Sequence, residues 1–201
     1  MGARPKLDIL IAQALLQTKN IKLGTGAHLL PFHHPVELAC RVAYLDHLAQ
    51  GRYMFGIGSG GLQSDHELFG VDMENGEHRE RTRESLDIIL NLWEHVDGPF
   101  KYKGKFWDVN IPDPKDYEYA GLRTHITPYQ KPHPPIGVAG ASPGSDTLKI
   151  VGERGYIPMS LGLNAVYVAS HWDAVKEGAA SSGRTPPSRR EWRIVRDVWV
   201  A

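Results

Sequence analysis

The sequence predicts an α/β fold built on a parallel sheet, and three observations predict it. Short apolar, β-prone runs alternate along the chain with segments of helical period, the arrangement of repeated strand–helix units with right-handed crossovers. The run Ile21–Thr25 passes into a polar loop, Gly26 to His34, before a helix. The next run, Tyr53–Ile57, passes into the glycine-rich stretch Gly58-Ser59-Gly60-Gly61. In a parallel sheet both loops open at the carboxyl edge, where ligands bind.

Leu7–Gln17 is apolar and rich in helix formers, with Asp8 as its candidate cap. Ile21–Thr25 reads as a short buried strand. A helix from Pro35 to about Gln50 follows, since proline at a first helical position needs no donor. Leu38, Val42, Leu45 and Leu48 form its core face, and Gly51 ends it. Tyr53–Ile57 is the second strand, Asp65–Asn75 a loop, and Glu77–Glu94 a long helix turning Leu86, Ile89 and Trp93 inward.

Phe100 to Gln130 breaks the pattern. It is rich in Pro, Tyr and Lys, and predicts an excursion from the core that opens with a hairpin around Gly104. Strands then follow from Ile136, Tyr156 and Trp192, with helices over Asp146–Arg154 and Ala165–Ser181, the latter burying Val168, Trp172 and Val175. Trp192 and Trp199 read as core. The chain, 1–201, is expected to be one domain. Two architectures fit, an open doubly wound sheet or part of an eight-stranded barrel. Gly56-Ile57-Gly58-Ser59-Gly60-Gly61 comes nearest to a dinucleotide fingerprint, but Gly56 lies inside the strand and no helix follows closely.

Lys+Arg 23 balance Asp+Glu 23 at a pI near 7.2, which gives no electrostatic ground for nucleic acid or an anionic membrane as partner. No apolar run approaches the ~20 residues that span a bilayer, and Met1–Lys6 carries no signal-peptide apolar region. Cys40 is the only cysteine, so no internal disulfide forms, and the expected compartment is the cytoplasm. On its helix Cys40 is a packed thiol.

The rim residues carry the candidate chemistry. His28 would orient substrate or move a proton from the loop after the first strand. His33 and His34 diverge as neighbours and no second ligand cluster is visible, so no metal is expected, and His34 reads as a helix-capping position. Gly58 and Ser59 leave the second strand without bulk, so a planar ring or its phosphate can approach the backbone. Ala139–Thr147 joins a strand to a helix start through small and hydroxyl residues, a candidate phosphate loop. Its candidate contacts are Ser142, Gly144 and Ser145, with Asp146 facing out, and N-capping by Ser145 is the plainer alternative. Tyr102, Phe106, Trp107, Tyr117 and Tyr119 form either a water-excluding lid or the excursion's own small core.

Taken together, Leu23-Gly24-Thr25-Gly26, Leu30-Pro31-Phe32-His33-His34-Pro35, Leu45-Asp46-His47-Leu48 with Gly51-Arg52, and Phe55-Gly56-Ile57-Gly58-Ser59-Gly60 resemble the bacterial luciferase-like flavin monooxygenases. Gly60-Gly61-Leu62-Gln63-Ser64-Asp65 before Phe69-Gly70-Val71-Asp72, the Arg79–Ile89 helix and Pro134–Ala139 are similar to the limonene-monooxygenase-like branch. The resemblance covers nearly the whole chain. It implies a TIM-like (β/α)8 barrel, present here in part, from about the third strand to the seventh. It implies reduced FMN and O2 acting on a small apolar substrate, with a separate NAD(P)H:flavin reductase. In sister families the cofactor is the deazaflavin F420, which would make the reaction hydride transfer. A non-catalytic flavin-binding protein or inactive fragment is the third reading. By resemblance, Thr25-Gly26 lies against the flavin ring as a candidate cis peptide, and Arg79 meets the flavin phosphate, the alternative being an exposed arginine among Glu77, Glu80 and Glu84. The reactive cysteine and arginine of luciferases proper are replaced here by Gly58 and Ser59, so no thiol role carries over. Pairing into a homodimer is a further implication.

Overall fold

The computed structural model describes residues 6–96, 98–113, 115–116, 125–162 and 164–195. Its centre is a parallel sheet in the order β1-β3-β6-β7-β8, with β2 also paired to β3. The strands are β1 (Leu23–Gly24), β2 (His28–Leu29), β3 (Tyr53–Gly58), β6 (Ile136–Gly140), β7 (Ile157–Leu161) and β8 (Arg193–Val195). The antiparallel hairpin of β4 (Phe100–Lys103) and β5 (Asp108–Ile111) stands apart. The helices are α1 (Leu7–Gln17), α2 (Pro35–Ala49), α3 (Gln63–Phe69), α4 (Glu77–Glu94), α5 (Lys149–Arg154) and α6 (Ala165–Ser181). This sheet with its layer of helices is part of a TIM-like barrel.

The single strand expected at Ile21–Thr25 is in fact two. Leu23 and Gly24 pair with Tyr53 and Met54, whereas His28 and Leu29 pair with Ile57 and Gly58. Residues 25–27 therefore stand opposite only 55–56, a bulge of one residue. The non-proline cis peptide falls at Gly26–Ala27, one bond later than expected. Thr25 folds back at the bulge. Its Oγ1 accepts from the Gly56 N–H at 3.0 Å and donates to the Gly56 carbonyl at 2.9 Å.

The two faces of the sheet differ. Tyr53, Phe55, Ile57, Ile136 and Val138 are buried in the main core with Leu38, Val42, Leu86, Ile89 and Leu92 of the helices. The other face is small or flexible: a Cβ built on Gly56 or Gly137 would meet Met159, and one on Gly58 would meet Ala27, Leu29 and Ala139. Side chains alternate across a strand, so the large residues go to the helices and the glycines remain toward the barrel interior.

Helix α2 buries Leu38, Val42, Leu45 and Ala49. Leu48, expected in the core, is exposed, because the 3.6-residue period reaches position 49 after 38, 42 and 45. Helix α1 is preceded by Lys6 at its N-cap position, with no side-chain cap. Asp8 bonds Arg41 instead, at 2.7 Å. The expected loop 65–75 opens with α3, closed by Gly70 in the left-handed conformation.

The excursion begins with the expected hairpin, and one carboxylate docks it. Glu84 of α4 accepts the backbone N–H groups of Lys105, Phe106 and Trp107. Trp107 donates its indole N–H to Ser85 at 2.9 Å. The chain returns through Gln130, whose backbone and side-chain N–H groups both reach the fully buried Asp46. Tyr117, Tyr119 and Trp199 lie outside the described residues, as does the expected end of the last strand beyond 195. Among the described residues, no helix is long and apolar enough to cross a membrane.

Candidate functional site

A cleft of about 540 Å³ opens at the carboxyl edge of the sheet, within the size range of cofactor sites. Its floor comes from the strand ends and the loops just beyond them: Gly26, Ala27 and Leu29 from the first, Gly58 to Gly61 from the second, Ala139 and Ala141 from the third, and Leu161 from the fourth. A Cβ built on Gly26 or Gly61 meets no atom within 4 Å, and one on Gly58 meets only ordinary contacts of 3.4–3.7 Å. These positions leave open a space that side chains would fill. Leu7, Leu62 and Met73 add apolar wall.

One end of the cleft is polar. Ser59, Ser142, Ser145 and Thr147 gather there with Arg79 and Asp146. Ser59 and Thr147 share a hydrogen bond of 3.1 Å across the cleft. Arg79 Nη1 meets Asp146 Oδ2 at 2.5 Å, and Lys149 Nζ lies 3.3 Å from the other oxygen of that carboxylate. Asp146 therefore faces the cleft, contrary to the expectation that it points outward. It neutralises Arg79, which would otherwise stand with its charge free at the site. Arg79 bonds across the cleft rather than within the glutamate lattice of its own helix. Arg83, one turn on, is held by Glu153 in a two-pronged pair.

The loop after β6, the candidate phosphate loop, is positioned from behind. His171, fully buried on α6, bonds the Ser142 carbonyl at 2.8 Å and Ser160 Oγ at 2.9 Å. A Cβ on Gly140 would lie 2.6 Å from Leu148 and 2.7 Å from Ser145 Oγ, so glycine there lets the loop close onto the sheet. Ser145 makes no side-chain cap, and the segment begins as a single 3-10 turn before the short α5. The polar groups at this end are thus side-chain hydroxyls and a guanidinium, more than a long helix dipole.

Of the residues singled out from sequence, Gly26, Gly58, Ser59, Arg79, Ser142 and Ser145 meet in this cleft. Three stand outside its lining. Thr25 is buried in the bulge, and Gly144 donates its N–H to Ser170. His28 is 5% exposed and belongs to a network behind the strand. Its Nε2 lies 3.1 Å from Asp8 Oδ1 and 3.4 Å from the Tyr53 hydroxyl. Burial works to raise the Asp8 carboxyl pKa, and hydrogen bonding and attraction from His28, then Arg41, outweigh it, so the net shift is downward. His33, beside Arg41, is pushed down to about 4 by burial and by the neighbouring His28 and Arg41. His34 stands at the N-cap position of α2 without a side-chain cap, its ring edge against Trp107. Cys40 is half-buried, and burial raises its thiol pKa.

Sequence reading missed Ala27 and His78, and it placed Thr147 in the candidate phosphate loop without naming it as a contact. Alternation carries the signal for the first: Ala27 and Leu29 share a strand face that His28 does not. His78 lines the cleft at the start of α4 and meets the buried His66 edge to face at 5.1 Å. Burial, then His66 and Arg79, holds the His78 pKa below the usual histidine value. The aromatic residues Tyr102, Phe106 and Trp107 do not line the cleft. Arg81 sits over Phe106 and Trp107, so these rings pack the hairpin onto α4 and do not form a lid.

Residues 9–196 match the model of the luciferase-like monooxygenase family. The chain is 35% identical over 203 residues to 3,6-diketocamphane 1,6-monooxygenase of Pseudomonas putida, covering 92% of this chain and 52% of that protein. It is 31% identical over 198 residues to limonene 1,2-monooxygenase of Rhodococcus erythropolis, covering 96% and 46%. It superposes with a TM-score of 0.81 and 34% identity on the oxygenating constituent of the Pseudomonas putida 3,6-diketocamphane monooxygenase, a type II Baeyer–Villiger enzyme solved in complex with FMN, covering 94% and 52%. The chain thus spans about half the length of the relatives it matches. A carboxyl-edge cleft floored mostly by small residues, the family match along nearly all of the sequence and the superposition agree: the chain belongs to the luciferase-like monooxygenase family.

Proposed function

We propose that this chain carries the flavin-holding part of an FMN-dependent monooxygenase that oxygenates a small apolar organic molecule with O2. One observation carries the reading: a glycine- and alanine-floored cleft ends in four hydroxyls and an arginine. The residues fit the group. The floor of Gly26, Gly58 and Gly61 admits a planar ring against the backbone. Ser59, Ser142, Ser145, Thr147 and Arg79 are donors suited to a phosphate, the guanidinium above all because its fork matches paired oxygens. When bound, reduced FMN supplies the two electrons with which dioxygen places one oxygen atom in substrate and the other in water. The chain's own work is to bind, orient and exclude water. Leu7, Leu29, Leu62, Met73 and Leu161 would receive the substrate and keep that end dry. The solved relative's description as an oxygenating constituent supports a separate reductase as the source of reduced flavin.

The test is oxygen incorporation. With FMN, NADH and a flavin reductase under 18O2, a bicyclic ketone such as camphor should yield a lactone carrying one labelled atom, only when flavin is present. Flavin oxidation with no labelled product from ketones or terpenes would contradict the monooxygenase reading.

A further inference from the structure

At the polar end of the cleft the arginine is already paired with a carboxylate. Arg79 at the start of α4 and Asp146 in the loop after β6 come from opposite sides of the cleft and pair at 2.5 Å. Lys149 meets Asp146 at 3.3 Å and Glu177 of α6 at 2.6 Å. Asp146 is thus held between Arg79 and Lys149. The pair is about half exposed, 47% for Arg79 and 48% for Asp146, so it is reachable from the cleft. An ordinary phosphate site presents uncompensated donors. Here a carboxylate already sits on the one guanidinium among the cleft-lining residues.

We propose that Asp146 is a built-in competitor for Arg79, occupying the guanidinium that a flavin phosphate needs and so keeping flavin binding weak enough for rapid exchange. This rests on the phosphate end assigned under the proposed function. The chemistry follows from the charges. A phosphate monoester carries close to two negative charges at neutral pH. To reach Arg79 it must displace a carboxylate, which remains nearby on Lys149 and repels it. Binding is correspondingly weakened, and release is assisted when the carboxylate returns to Arg79. Such a device suits a flavin that arrives reduced from another protein and leaves again. It would also discriminate by charge, acting on FMN and leaving riboflavin untouched.

The experiment measures FMN and riboflavin affinity by fluorescence titration, with FMN release by stopped flow, for the chain and for Asp146→Asn. The variant should bind FMN about fivefold more tightly and release it more slowly, with riboflavin unchanged. Asp173→Asn is the control, since Asp173 pairs with Lys176 on α6 and is not part of the cleft lining. It adds the same charge and should change nothing. In an Arg79→Gln background, Asp146→Asn should lose most of its effect. Unchanged or weaker FMN binding in Asp146→Asn would overturn the competitor role while leaving the flavin site standing. Equal affinity of wild type and variant for FMN and riboflavin would instead remove the phosphate end itself, and the inference with it.

Discussion

A Cβ on residue 56 would lie 1.7 Å from the carbonyl oxygen of Thr25. The bulge that sets the cleft floor is therefore seated directly on Gly56, and the Thr25 hydroxyl bonds both the N–H and the carbonyl of that glycine. Gly56→Ala requires backbone to move and should cost about 3 kcal/mol or more. Thr25→Val keeps the shape but strands a buried N–H, and should cost about 1–3 kcal/mol. Urea unfolding midpoints read both, and a neutral Gly56→Ala would refute the seated bulge.

Acid should weaken the fold from behind the cleft. The imidazole of His33 titrates near 6.5 when unfolded and near 4 when folded. Between those values the unfolded chain binds more protons, so stability falls as pH drops. The Asp8 carboxyl is shifted below its ordinary 3.8, so its contribution is present above about that pH and lost as pH falls through its folded value. The urea midpoint should decline from pH 7 toward 4, and His33→Gln should flatten that decline. Parallel curves for the two proteins would sink the assignment.

One carboxylate of α4 anchors the backbone of the hairpin's turn. Glu84 takes three backbone donors, and removing this acceptor strips the part-buried N–H groups of Phe106 and Trp107 of their partner. Glu84→Ala should cost about 1.5–3 kcal/mol and shift Trp107 fluorescence toward that of exposed indole. If the emission stays put and stability is unchanged, other contacts hold the hairpin.

Much of the architecture is legible in the residues. The long helix α4 shows its period in Leu86, Ile89 and Trp93, all buried, and the hairpin shows its turn at Gly104. The first strand was harder. Glycines at 24 and 26 end a strand in any local reading, yet pairing with β3 resumes at His28, a non-local event. Hence His28 looked like a rim residue and is a buried partner of Asp8 instead. The cleft was legible where backbone chemistry dictates it, at Gly58 and in the small-residue loop. The Arg79–Asp146 contact joins residues 67 positions apart, and no spacing rule announces it.

Arg79→Gln removes the fork of donors at the polar end while leaving the floor intact. FMN affinity should fall to near that of riboflavin, whose own binding stays within about twofold. Loss of both ligands together would mean that Arg79 supports the fold and not the phosphate.

On the proposed reading, this cleft holds a flavin by its ring and its phosphate. The most direct measurement is equilibrium titration of the chain with FMN, riboflavin and F420, repeated on Gly58→Val, whose Cβ meets only ordinary contacts and whose methyls would stand in the floor. FMN should bind tighter than riboflavin by at least about fivefold, F420 should bind more weakly than FMN, and a Gly58→Val variant that still folds should lose flavin binding. Equal binding of FMN and riboflavin, preference for F420, or undiminished flavin binding by Gly58→Val would contradict that reading.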